Sequence, residues 1–328
     1  VRIFQWKAGA IALVVLIGSI LLASPVPLSA DETDLPPGDR PPPDVFSRVA
    51  DAGGAKDHPG TGHIIVYDLA KNHVKPSGVT YVDSYTIYKV LTTAGVRDMS
   101  VLRWNYDPQS LYVEVREVNV VRKGKKIPVD VSRVHDLPAP QSWIYWKDRI
   151  KTLQLPRLEV GDGIEVTVFR KGFTYALLGE GAATAGGSQE TGSAVSDEPG
   201  DERYIPPMPG EYFDIVYFTD SAPIIEKKYV LSLPAEKRLH SEVYNGPLYS
   251  ATTYTEDRTE YSWWGLDLPP RKREPRQPDQ SDYVAKVVIA TVESWEAKSR
   301  WFFDVNRNQF EVTEGIKAKV EEIFKDMG

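Results

Sequence analysis

Cysteine is absent from all 328 residues. That zero excludes disulfide frameworks, thiolate metal sites, lipidation on an N-terminal cysteine and any thiol nucleophile within the chain. An excess of cations is also lacking, since 39 Lys and Arg stand against 46 Asp and Glu for a formal charge of −7. Duplex affinity comes mainly from cations that neutralise phosphates, so the balance argues against a nucleic-acid partner. Histidine is sparse as well. His58, His63, His73, His135 and His240 are scattered, and no GxSxG elbow, HExxH pair or SxxK element accompanies them. A metal site on His58 and His63 would need a third ligand that spacing does not identify, and in the glycine-rich DHPGTGH the two read as solvated loop histidines; no metal, no cofactor and no catalytic residue is expected. A chain that is 41% hydrophobic and 26% charged is nevertheless no disordered polymer, and its length suits one large sandwich or two modest domains with a tail.

What is present begins with VRIFQWK, followed by sixteen uncharged residues from Ala8 to Ala23 and then SPVPLSA. Residues 1–30 read as a signal peptide or an uncleaved membrane anchor helix, because the apolar run lies between the lengths typical of each. Either outcome exports the remainder to the periplasm or exterior of a bacterial cell, with the membrane met through this segment alone. Residues 31–62 follow as a proline-rich tether and a short helix that Asp44 can cap.

From residue 63 to 292 the composition turns to short stretches rich in Val, Ile, Thr and Tyr with period-two alternation, the pattern of half-buried strands. Leu111, Val113, Val115 and Val118 nearly line one face of such a strand, which predicts an antiparallel sheet packed on one side. RKGKK at 122–126 predicts a hairpin tip around Gly124, where positive φ costs no side-chain clash. Residues 179–210 interrupt the strands with seven glycines and many small polar residues, the composition of an insertion loop. After residue 292 the period becomes 3.6, and residues 293–328 predict a helical linker. Ser294 can cap a helix through Trp295, Lys298, Trp301 and Phe302, and Thr313 a second one. Ile316, Val320, Ile323 and Phe324 form an apolar stripe on that second helix, which requires a partner surface.

Three groups of residues are candidates for function. Trp143, Tyr145 and Trp146 in SWIYWKD, with Trp263 and Trp264, could form a platform that stacks on a cell-wall glycan or holds a peptide, although core packing consumes bulky rings as readily. Asp162, between Gly161 and Gly163, is the acid most worth watching, with a turn role as its simplest reading. PPRKREPRQP at 269–278 combines four cations with four prolines and reads as a solvated connecting strand, with a dock for an acidic partner as the alternative.

The run from VKPSGVTYVDSYTIYKVL through WNYDP and RKGKKIPV, then LPRLEVGDGIEVTV, SAPIIEKKYVLSLP and VVIATVESWEAKSRWF, resembles the uncharacterised N-terminal domain of bacterial transglutaminase-like proteins. The likeness spans residues 63–326. It implies a mainly β chain, a large antiparallel β-sandwich of immunoglobulin-like type with two short C-terminal helices, exported ahead of a papain-like domain that works with Cys, His and Asp. The nucleophile of such proteins has no counterpart here, so the resemblance implies a fold and a partner domain rather than an activity. Trp295, Trp301, Ile316, Val320, Ile323 and Phe324 then become the candidate contacts with the core or that partner.

Overall fold

The computed structural model describes residues 44–140, 147–174, 200–271, 274–307 and 311–325. The described chain opens with α1 (Val45–Asp51), β1 (His63–Val74), β2 (Thr80–Val90) and α2 (Thr93–Asp98). It continues with β3 (Val101–Tyr106), β4 (Leu111–Arg122), β5 (Lys125–Pro128), β6 (His135–Pro138), β7 (Arg149–Gln154) and β8 (Gly163–Gly172). Beyond residue 200 come β9 (Phe213–Tyr217), β10 (Ile224–Pro234), β11 (His240–Tyr244), β12 (Tyr249–Tyr254), β13 (Arg258–Leu268) and β14 (Lys286–Ala290). Two helices close the chain, α3 (Trp295–Asn306) and α4 (Glu314–Phe324).

The strands form three sheets. The largest has eight strands in the order β12-β13-β10-β1-β2-β8-β4-β5, and two three-stranded sheets run β11-β14-β9 and β3-β7-β6. Local chemistry explains several joints. Asp44 accepts a hydrogen bond from the Phe46 amide at 3.2 Å and starts α1. The β4–β5 hairpin turns through Lys123 at φ 49° and Gly124 at φ 72°, the pair of positive φ values that matches strand twist. A register shift between Val115 and Glu117 returns Val118 to the side of Val113 and Val115, so the imperfect alternation is a β-bulge.

One pairing departs from the all-antiparallel expectation. β1 and β10 run parallel, from Ile65 opposite Ile224 to His73 opposite Ser232. A parallel neighbour requires a long crossover, and the whole stretch between these two strands supplies it.

The small sheets cover one face of the large one. Val113, Val115, Val118 and Val120 of β4 pack with Ile164, Val166 and Val168 of β8 against Leu102 and Leu153 of the β3-β7-β6 sheet. Toward the other end, Tyr229, Leu231, Leu233 and Trp263 pack against Val216, Val287 and Ile289 of the β11-β14-β9 sheet. Side chains alternate along a strand, so Val121 turns away from Val120 and joins Ile64, Val66 and Ile87 beneath Val45 and Val49 of α1 on the opposite face. Arg48 of α1 also pairs with Glu226 at 3.0 Å and lies 3.8 Å from the centre of the Tyr67 ring.

Candidate interaction surfaces

Three of the polar clusters among the described residues fasten separate elements of this frame together. Asp162 is 2% exposed and accepts from Arg122 Nε at 2.8 Å and Nη2 at 2.6 Å. Its Oδ2 also accepts from the Glu159 amide at 2.6 Å, and Gly161, at φ 95°, permits that tight turn. The backbone around it docks on β2, with Gly161 donating to Val90 O at 2.8 Å and Val90 donating to Asp162 O at 2.9 Å. Asp162 thus clips the end of β4 to the start of β8, and every oxygen of its carboxylate is engaged structurally.

Glu165, one turn of pleat further along β8, accepts from Tyr85 Oη at 2.7 Å and Asn119 Nδ2 at 2.9 Å and pairs with Lys126 at 2.7 Å. Burial acts to raise its pKa, and the donors from Lys126, Tyr85 and Asn119 more than offset that, leaving the carboxyl below its ordinary range. In the third cluster Asp214 of β9 accepts from Tyr229 Oη of β10 at 2.7 Å and from Tyr212 Oη at 3.2 Å, while the two phenols also touch each other. Here burial wins, and the Asp214 carboxyl is held above its ordinary range despite both phenol donors. These bonds fasten the β11-β14-β9 sheet to the large one. Among the described residues no group of three side chains has the arrangement of a metal site.

The aromatic candidates divide. Trp143, Tyr145 and Trp146 lie outside the described residues. Trp263 and Trp264 are 5% and 3% exposed, because both faces of β13 are covered at that point. Trp263 packs against Tyr229 and Tyr261 under the small sheet, and Trp264 stacks on Tyr249 at 5.6 Å on the other face. Neither indole presents the open face that sugar stacking needs, and what remains outward is Tyr249, 54% exposed.

The C-terminal helices are the opposite case. Ser294 Oγ accepts from the Ala297 amide at 3.1 Å and Thr313 Oγ1 from the Ile316 amide at 3.4 Å, so both caps start their helices. Trp295 does not seat α3, being 78% exposed. Trp301 is half-buried, and the residue that turns inward is Lys298, whose Nζ lies 5.1 Å from the Phe213 ring centre. The α4 stripe of Ile316, Val320, Ile323 and Phe324 is 48%, 47%, 55% and 58% exposed and belongs to none of the core clusters among the described residues. Phe302 and Phe303 of α3 are exposed as well. Large apolar side chains are thus exposed on both consecutive helices, which makes these helices a candidate interaction surface. Among the described residues no helix is long and apolar enough to cross a membrane.

The fold and these surfaces define a mainly β module with a helical arm and no cysteine chemistry of its own. The chain belongs to the DUF3857 family, a domain of unknown function with a solved structure, which matches residues 76–272. A crystal structure of a candidate protease from Parabacteroides distasonis is similar at 14% identity with a TM-score of 0.59, covering 81% of this chain and 47% of that one. The present chain therefore spans about half the length of that solved protein, and the likeness concerns the fold. An M1 zinc metallopeptidase from Deinococcus radiodurans aligns at 14% identity over 70% of this chain and 42% of its own, with a TM-score of 0.31. No curated protein matches the chain.

Proposed function

We propose that this chain is a non-catalytic, exported accessory domain that positions or shields a transglutaminase-like domain of papain type, with α3 and α4 as the joint between them. The strands then serve as a scaffold, a β-sandwich of immunoglobulin-like type elaborated by the extra sheet. One observation carries the reading: the α4 stripe is formed, capped and uncovered. Fully burying an aliphatic side chain contributes about 1.5–3 kcal/mol, so four half-exposed ones leave on the order of 4 kcal/mol for a partner to recover. The absence of cysteine supports the division of labour, since a papain-type reaction needs a thiol supplied by another domain. The length of the similar Parabacteroides protein, about twice that of the aligned region, is consistent with a second domain.

The test starts from the coding sequence adjacent to that of this chain. A papain-type domain encoded there, expressed separately, should bind the chain in calorimetry, and Val320→Glu with Ile323→Glu should weaken binding at least tenfold without lowering the melting temperature. The chain alone should transfer no acyl group. Binding unaffected by the double substitution, or the lack of any such neighbouring domain, would remove the proposal.

A further inference from the structure

The large sheet has two edges, and they are finished differently. β5 carries Lys125, Lys126 and Pro128, the charges and the missing amide that discourage another strand from adding to an edge. β12, at the other edge, reads Tyr249-Ser250-Ala251-Thr252-Thr253-Tyr254, with no charge, proline or glycine. Five of those six residues are exposed, Tyr254 at 76%. The preceding strand does not cover the edge, because β11 pairs with β14 in the smaller sheet.

The turn after β12 sets which backbone groups face outward. Thr255 N donates to Arg258 O at 2.9 Å, which makes that pair a closely bonded one. Alternation then turns Ala251 and Thr253 toward β13, where they oppose Ser262 and Glu260. The amides and carbonyls of Ser250, Thr252 and Tyr254 point the other way, and no bond reaches them among the described residues.

That outward set is self-complementary. With a second copy placed antiparallel about a two-fold axis at Thr252, Thr252 faces Thr252 while Ser250 faces Tyr254 and Tyr254 faces Ser250. All three outward residues enter closely bonded pairs, for about six backbone hydrogen bonds, and no like charges meet. We propose that β12 pairs with β12 of a second copy of this chain, joining two eight-stranded sheets into one. The charge-free edge favours a copy of itself over a charged peptide, and the closed two-fold limits the assembly to a dimer.

A chain without cysteine permits a direct test, because each introduced thiol is unique. Facing residues in a closely bonded antiparallel pair have Cα atoms about 5.5 Å apart, within disulfide reach, whereas two Ser250 residues would be separated by roughly 14 Å. Full-length chain in mild detergent is oxidised and followed by non-reducing electrophoresis. Thr252→Cys should form a covalent dimer at least tenfold faster than Lys125→Cys on the far edge. Ser250→Cys alone should form no covalent dimer, and should cross-link when mixed with Tyr254→Cys. In sedimentation the cysteine-free chain should run as a dimer that Thr252→Lys dissociates. Cross-linking of Thr252→Cys no faster than Lys125→Cys, a Ser250→Cys dimer of equal rate, or a monomer at every concentration overturns the proposal. So does a dimer that persists in Thr252→Lys and is lost in Val320→Glu, which would assign self-association to α4.

Discussion

Replacing Asp162 by Ala removes two hydrogen bonds to the Arg122 guanidinium, at 2.8 and 2.6 Å, and one from the Glu159 amide at 2.6 Å. Breaking a buried ion pair from one side costs about 3–5 kcal/mol when the remaining charge stays sealed from water. Arg122 is not sealed. Its side chain is 24% exposed, keeps Glu159 Oε1 at 3.0 Å and still donates to Arg157 O at 2.8 Å. The orphaned guanidinium is therefore partly rehydrated, and the expected loss lies near the bottom of that range, about 3 kcal/mol. For a domain of roughly 200 residues, each kcal/mol lowers the melting temperature by about 2–4 °C, which predicts a drop of roughly 6–12 °C. Asp162→Asn keeps one acceptor and should fall between. The decisive measurement is a double-mutant cycle with Arg122→Ala in urea unfolding, where the coupling between the two positions should exceed about 1 kcal/mol. A loss below about 1 kcal/mol for Asp162→Ala, or a coupling near zero, would refute the assignment of Asp162 as the clip between β4 and β8.

Two further outcomes follow from the same packing. A Cβ added at Gly95 would lie 1.9 Å from the Gly62 carbonyl oxygen, which itself accepts from the Leu91 and Thr92 amides, so Gly95→Ala should cost about 3 kcal/mol in urea unfolding, and an unchanged midpoint would contradict that contact. The Glu165 pKa is depressed in the folded chain, so its contribution is present above the unfolded value near 4.5 and is lost as pH falls through the lower folded value. Glu165→Gln should thus lose roughly 1–2 kcal/mol at pH 7 and show a shallower acid limb below about pH 4.5, with equal pH slopes in both proteins as the contrary result.

Much of this molecule was legible wherever a few neighbouring residues decide the geometry. Asp44, Ser294 and Thr313 each cap the helix their position suggested, since a cap is settled within three residues. The turn at Gly124 and the strand runs of β1, β2, β4 and β8 are local in the same sense. β6 and β7 were not legible. His135–Pro138 and Arg149–Gln154 lack clean alternation, and Asp136 helps hold the pair through Arg149 at 2.8 Å and Lys151 at 3.3 Å. The parallel pairing of β1 with β10 leaves no trace in either strand, because strand direction is set by the path between them.

The candidate residues divide along the same line. That neighbouring Trp263 and Trp264 face opposite ways follows from the pleat alone, but their burial depends on what covers each face of β13. Asp162 could be recognised as a turn residue, while its partner Arg122 stands 40 positions away. The arm shows the limit most clearly. The 3.6-residue period dictates that Ile316, Val320, Ile323 and Phe324 share one side of α4, and it is equally consistent with a helix sunk in the core. Lys298 turns inward near Phe213, while Trp295, Phe302 and Phe303 of α3 are exposed and Trp301 is half-buried. That an α3 lysine stem turns inward while apolar side chains of both helices stay exposed is the feature on which the proposed partner contact rests.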